Sequence, residues 1–312
     1  MQTSIAIVSG DFVATGGMDA ANLRLASFLA RSGHGVEIVA HRVSPALRAM
    51  PGVAFHRVPR PLRSHLLGAP LLDLAGRRIG AKVRAQGGRV IVNGGNCQVA
   101  DVSWVHYVHA AFAGGRGFGR ALKHYLALAQ ERRVLTGASL LIANSERTRR
   151  DLVDLVGAPP ERIRVVYLGI DAEEFQPLAD AERARRRADL GLSERPALAF
   201  VGAPADPRKG FDTLLQAWAR LQKRGFDAEL LVIGAGRSER APSVRFLGFR
   251  EDVGKILPAL DGIVAPARYE AFGQAVHEGL CCGLPAIVSA SAGVAEKIPE
   301  ALQPLLLGDP KS

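Results

Sequence analysis

Ala265-Pro266-Ala267-Arg268-Tyr269-Glu270-Ala271-Phe272-Gly273-Gln274-Ala275-Val276-His277-Glu278 is the stretch that decides the fold. Just before its loop, Gly262-Ile263-Val264-Ala265 is an apolar run of strand length, and Pro266 ends it. A helix is expected from about Gly273 to Cys282, followed by a second strand at Pro285-Ala286-Ile287-Val288. Strand, helix and strand in this order form the βαβ unit of a parallel sheet. Ligands of such sheets bind beyond the carboxyl ends of the strands. Glu270 falls in that loop, Glu278 falls inside the helix, and the free N–H groups at the helix start suit a phosphate.

Working outward, Ala197-Leu198-Ala199-Phe200-Val201-Gly202 reads as a strand, and a helix is expected from Phe211. Between them lies Ala203-Pro204-Ala205-Asp206-Pro207-Arg208-Lys209-Gly210. Arg208 and Lys209 set two cations beside that helix start, a combination that suits an anionic group. Leu230-Leu231-Val232-Ile233-Gly234-Ala235-Gly236 suggests a dinucleotide fingerprint, but Glu239 stands where the third glycine belongs and would repel a pyrophosphate. That excludes a nicotinamide reading. Val244 to Arg250 is a further strand and loop, and Arg183, Arg185, Arg186 and Arg187 form a basic helix face expected to be solvated.

The first half opens with the strand Ile5-Ala6-Ile7-Val8, a glycine-bearing loop through Gly16 and Gly17, and a helix near Asp19–Arg31. Gly33-His34-Gly35 is expected to cap that helix before a strand at Val36-Glu37-Ile38-Val39. Paired glycines let the backbone approach a ligand because no Cβ intervenes. Residues 57–68 mix Arg57, Arg60 and Arg63 with Leu62, Leu66 and Leu67, a pattern compatible with a membrane surface but expected here as a loop and a helix. Val90-Ile91-Val92 is expected as a strand, and so is Val102–His109. By alternation His106 and His109 point to opposite faces, so at most one of them enters a site. Gly114-Gly115-Arg116-Gly117-Phe118-Gly119 is a flexible, glycine-rich candidate site loop before a helix at about 120–135. A strand at Ser139–Ala143, a helix capped by Asn144-Ser145 and running to about Val156, and a strand at Arg164–Tyr167 complete this half.

With 312 residues, 48% of them hydrophobic and 22% charged, the chain has the size of two domains, set at 1–170 and 171–312. The net charge of +10 is uneven: the first 170 residues hold 22 Lys/Arg against 10 Asp/Glu, and the remainder 18 against 20. An anionic partner of the first half follows. No helix-turn-helix, zinc-finger or RNA-recognition pattern supports nucleic acid. Cys97, Cys281 and Cys282 fit neither a disulfide framework nor a zinc site, which favours a cytoplasmic setting. The N-terminus reads as a strand, not a signal peptide, and no apolar run is long enough to span a bilayer.

The loop and helix resemble the Glu-x7-Glu motif of retaining family-4 glycosyltransferases of the GT-B fold. Glu270-Ala271-Phe272-Gly273, Glu278-Gly279 and Cys282-Gly283-Leu284-Pro285-Ala286-Ile287 fill its slots. Ser289 to Glu296 resembles the family's last motif, and Leu168-Gly169-Ile170-Asp171 its interdomain linker, with Leu168 departing from Asn. The adjacent Arg208-Lys209-Gly210, with Ala203 in place of an arginine, is similar to lipopolysaccharide-core glucosyltransferases. The resemblance implies an α/β fold of two Rossmann-like parallel-sheet domains facing across a cleft, acceptor-binding first and donor-binding second. The chain stops at Ser312, short of the C-terminal helices usual in the family, so these are expected to be missing.

The implied reaction is retaining, metal-independent hexosyl transfer from a nucleoside-diphosphate sugar, a UDP-sugar favoured, to a glycan or lipid-linked acceptor in cell-surface polysaccharide or lipopolysaccharide synthesis. No metal or resident cofactor is expected. By the resemblance, Arg208, Lys209, Glu270 and His109 carry the chemistry. Gly16, Gly17, Asp19, Gly202, Gly248, Phe249, Arg250, Ala271, Phe272, Gly273, Gln274 and Glu278 join Arg208, Lys209 and Glu270 in holding the donor. Glu278 would accept from the two ribose hydroxyls. The expected partners are the nucleotide sugar, an acceptor that is itself a candidate anion, and an anionic membrane at the inner face of the cell. A nucleotide-sugar epimerase of the same fold and a non-catalytic nucleotide-sugar-binding protein are the alternatives.

Overall fold

The structure is a computed structural model that describes residues 4–112, 118–236, 238–239 and 241–309, the side chains of 118–124 excepted. The chain forms two compact units that divide between Tyr167 and Leu168.

In the first unit, seven strands form one parallel sheet: β1 (Ser4–Val8), β2 (Gly35–Ala40), β3 (Val53–Arg57), β4 (Arg89–Asn93), β5 (Val102–Val105), β6 (Leu140–Ala143) and β7 (Ile163–Val165). Their order is β3-β2-β1-β4-β5-β6-β7. A central parallel strand is covered on both faces and therefore reads as a nearly continuous apolar run. Ala6, Ile7 and Val8 accordingly have at most 1% exposure. Three long helices belong to this unit: α1 (Gly17–Arg31), α2 (His65–Ala85) and α3 (Phe118–Gly137).

The second unit holds a six-stranded parallel sheet: β8 (Ala197–Val201), β9 (Glu229–Ile233), β10 (Val244–Gly248), β11 (Gly262–Ala265), β12 (Ala286–Ser289) and β13 (Leu306–Leu307), in the order β10-β9-β8-β11-β12-β13. Its helices are α4 (Asp180–Asp189), α5 (Phe211–Lys223) and α6 (Gln274–Cys281). In α5 the buried Phe211, Leu214 and Trp218 repeat at i, i+3 and i+7, which lays one apolar stripe on the sheet.

Several expectations need correcting. The strand expected at Val102–His109 ends at Val105, and His109 instead opens a 3-10 turn that runs to Ala111. The strand placed at Arg164–Tyr167 is Ile163–Val165. The helix capped by Ser145 does reach Val156 as expected, its last five residues, Leu152 to Val156, being π-helical. The basic face of α4 is not simply solvated. Arg183 and Arg187 donate to the two carboxylate oxygens of Asp261 at 2.6 and 3.0 Å, and Arg187 also bonds the carbonyls of Ala259, Ser193 and Arg195. The Ala197 N–H donates to Asp261 as well, at 2.7 Å. Burial is the largest influence on this carboxyl and pushes its pKa up, but these donors outweigh it and hold it below the usual carboxylate range. Of the candidate loop at 114–119, residues 114–117 lie outside the described residues.

Candidate active site

In the second unit the decisive loops leave neighbouring strands. The Asp206–Gly210 turn follows β8, the Pro266–Gly273 loop follows β11, and β8 pairs with β11. Asp206 caps a 3-10 turn at Pro207–Lys209, and Gly210 then sits in the left-handed region at φ 69°. A Cβ on Gly210 would lie 1.9 Å from the Pro266 carbonyl oxygen, so only glycine permits this approach. The Arg208 carbonyl accepts from Arg268 N at 2.7 Å and Tyr269 N at 3.3 Å, tying the two loops together. Lys209 and Glu270, 61 residues apart, thereby meet with Nζ 2.5 Å from Oε2. The Lys209 stem lies over Gly202, where a Cβ would be 3.5 Å from it.

The motif after β12 completes the cradle. Gly293 N donates to the Glu270 carbonyl at 3.2 Å and Val294 N to that of Phe272 at 2.6 Å. Gly273 adopts φ 110° as the N-cap of α6, close enough that a Cβ would be 2.8 Å from Val294. Ala271 and Phe272 are buried at 5% and 4% exposure, Gln274 begins α6, and Glu278 follows one turn later. The structure thus groups Gly202, Lys209, Glu270 and the 271–274 backbone.

The other donor candidates are arranged differently. The Arg208 guanidinium is engaged by Asp206, with Nε 3.0 Å from both carboxylate oxygens and Nη2 2.6 Å from Oδ2. Burial is the largest influence on Asp206 and pushes it up, yet Arg208 holds it below the usual range. Arg250 forks onto Asp252 at 2.7 Å through both Nε and Nη2. Its neighbour Phe249 is half exposed, and the Gly248 carbonyl accepts from Gly234 N at 2.8 Å.

In the first unit Gly16 is the N-cap of α1 at φ 87°, Gly17 starts the helix, and Asp19 lies in its first turn. Burial, followed by the nearby Asp11 charge, pushes Asp19 to about 6. Asp11 accepts from Arg42 Nη2 at 2.8 Å and faces Arg60 Nη1 at 3.5 Å. His109 is half exposed, and its ring Nδ1 is 2.9 Å from Glu131 Oε1. Sequence reasoning missed Glu131, Asp206 and the Asp11–Arg42–Arg60 group. Asp206, two residues before Arg208 at the start of a Pro-bearing turn, had a legible capping signal; the others pair over 22 residues or more and had none.

His106, by contrast, is buried at 8% exposure against Trp104, with a ring separation of 4.3 Å and, among the described residues, no hydrogen-bond partner on either nitrogen. Burial pushes it down to about 4 from 6.5. The unfolded chain therefore takes up a proton between pH 6.5 and 4 that the folded chain refuses. This contribution to stability is complete above pH 6.5 and is lost as pH falls through that window, amounting to about 2.5 kcal/mol by pH ~4.5. Urea midpoints at pH 7 and 4.5 should show a shallower acid loss for His106→Phe than for the parent; equal losses would remove this account of the ring.

Among the described residues, no group of three or more His, Cys, Asp or Glu side chains is disposed to hold a metal ion, and no helix is long and apolar enough to cross a membrane.

Comparison with known proteins adds a second line of argument. The family described as Glycosyltransferase Family 4 matches residues 15–174, and Glycosyl transferases group 1 matches residues 195–311. A D-inositol 3-phosphate glycosyltransferase of Mycobacterium sp. (strain KMS) is 36% identical over 183 residues, covering 53% of this chain and 40% of that protein. The enzyme of the same description from Mycobacterium marinum is 28% identical over 320 residues, covering 89% and 67%. The chain thus spans well under half the length of the first of these relatives. Among solved structures, WaaG, a glycosyltransferase involved in lipopolysaccharide biosynthesis, superposes with a TM-score of 0.78 at 21% identity, covering 94% of this chain and 82% of that one. Anabaena Alr3699/HepE, crystallised with UDP and glucose, gives 0.70 at 17% identity, covering 99% and 87%. These likenesses are those of the GT-B fold with its two Rossmann-like domains.

Proposed function

The chain belongs to glycosyltransferase family 4, and from that premise we propose that it moves a hexose, with retention and without a metal, from a nucleoside-diphosphate sugar to a glycan or lipid-linked acceptor. The observation that carries this reading is the Lys209–Glu270 pair, a cation and a carboxylate fixed together at the carboxyl ends of adjacent strands beside the start of α6. Lys209 would meet the charge that develops on the leaving diphosphate, with N–H groups at the start of α6 assisting. Glu270 would accept from hydroxyls of the donor hexose, and Glu278 from the ribose hydroxyls. Arg208, engaged by Asp206, would act as part of the cationic rim. In the first unit, His109, held by Glu131, would contact a hydroxyl of the acceptor.

UDP is the favoured nucleotide, since the neighbour HepE was crystallised with UDP and with UDP-glucose. An anionic acceptor fits the first half's excess of 22 Lys/Arg over 10 Asp/Glu. The relatives' names point the same way, to a phosphorylated acceptor. The proposed setting is the cytoplasm, with contact to an anionic inner membrane face, in the synthesis of cell-surface glycans.

A thermal-shift panel of uridine, guanosine and adenosine diphosphate sugars, run in EDTA, tests the reading; one class should stabilise the protein in a concentration-dependent way. No stabilisation by any of them would reject it. Glu278→Gln should weaken binding of the chosen nucleoside diphosphate about 10-fold, the worth of a charge-assisted hydrogen bond, without lowering the melting temperature. Undiminished binding by calorimetry would refute the ribose assignment.

A further inference from the structure

We propose that Glu131 is a positioning residue that fixes the tautomer and the direction of the His109 ring, so that Nε2 is presented as a hydrogen-bond acceptor to a sugar hydroxyl. The proposal rests on the reading of His109 as a site residue given above.

Glu131 comes from α3 and is 4% exposed, a degree of burial rare for an acid without compensation. Its Oε1 lies 2.9 Å from both the backbone N and the ring Nδ1 of His109, and its Oε2 lies 3.4 Å from Ala110 N. The two backbone donors belong to the 3-10 turn His109–Ala111, so the carboxylate holds the turn and the ring together. An ionised carboxylate only accepts, so the shared proton resides on Nδ1. A neutral imidazole has one N–H, which leaves Nε2 with its lone pair. That nitrogen has no partner among the described residues, and the side chain is 53% exposed. Tyr107 packs edge-on against the ring at 4.8 Å and limits its rotation. A carboxylate needed only to cap the turn would be served by the two backbone donors; the bond to Nδ1 is the added feature, and it determines what the outer nitrogen can do.

The His109 tautomer can be read by 15N NMR of the full-length protein at pH 7.5, alongside turnover with the nucleotide sugar that stabilises it most. The parent should show Nδ1–H, and Glu131→Ala should shift the ring toward Nε2–H while lowering kcat about 10-fold, the worth of one such hydrogen bond. Glu131→Gln, whose amide oxygen still accepts from Nδ1–H, should keep the parent tautomer and most of the turnover. In a His109→Ala background, Glu131→Ala should cost nothing further, because the two act as one unit. An Nε2–H ring in the parent would overturn the proposal, and that measurement needs no variant to fold. So would an equal loss from Glu131→Ala with and without His109. Full turnover by His109→Ala would instead overturn the site reading beneath it, while the tautomer would still decide whether Glu131 holds the ring.

Discussion

Lys209→Ala is expected to lower kcat on the order of 10²–10³-fold, the usual effect of removing one fixed group that meets charge formed in the transition state. The effect should fall on turnover more than on donor KM, since the charge on the leaving diphosphate grows only as the bond breaks. Lys209 is suited to this because its Nζ is already held 2.5 Å from Glu270 and its stem rests on Gly202, so little reorganisation is needed. The variant also leaves Glu270 without its cation, so binding of a neutral hexose analogue should be measured beside turnover. Arg208→Ala should cost less, because that guanidinium is engaged by Asp206. Release of nucleoside diphosphate under saturating donor checks both variants. Lys209→Ala with near-normal kcat would remove the cation from the mechanism.

Gly210→Ala is expected to destabilise the second unit by about 4 kcal/mol, combining a strained left-handed residue with forced overpacking, each worth roughly 1–3 kcal/mol. The atom in the way is the Pro266 carbonyl oxygen, 1.9 Å from the new Cβ, and backbone cannot rotate aside as a side chain can. The melting temperature should drop by roughly 8–16 °C for a unit of this size. Any folded fraction should also lose activity, because the same contact brings Lys209 to Glu270. A drop of only a degree or two would mean that the two loops part easily.

The sequence made the second unit's parallel sheet legible because buried strands are continuous apolar runs and proline and glycine punctuate them sharply. The Glu270 loop, the start of α5 at Phe211 and the placement of α6 all came from such local signals. What stayed hidden was side-chain pairing. Arg208 and Lys209 look equivalent in the chain, yet one faces a carboxylate two residues back and the other a carboxylate 61 residues ahead. Glu131 gave no sign of its role, because its partner lies 22 residues upstream on another element. Alternation along a strand was the wrong argument for His106 and His109, since the strand ends at Val105, although one ring is indeed buried and the other open.

The Asp261 clamp has one further consequence. It fastens α4 to the starts of the central strands β8 and β11, at the ends opposite the Lys209 and Glu270 loops. Asp261 there accepts from both arginines and from the Ala197 N–H, which holds the amino ends of the two strands beside α4. The loops at the other rim are tied to each other through the Arg208 carbonyl, so this pair of strands is fastened at both ends.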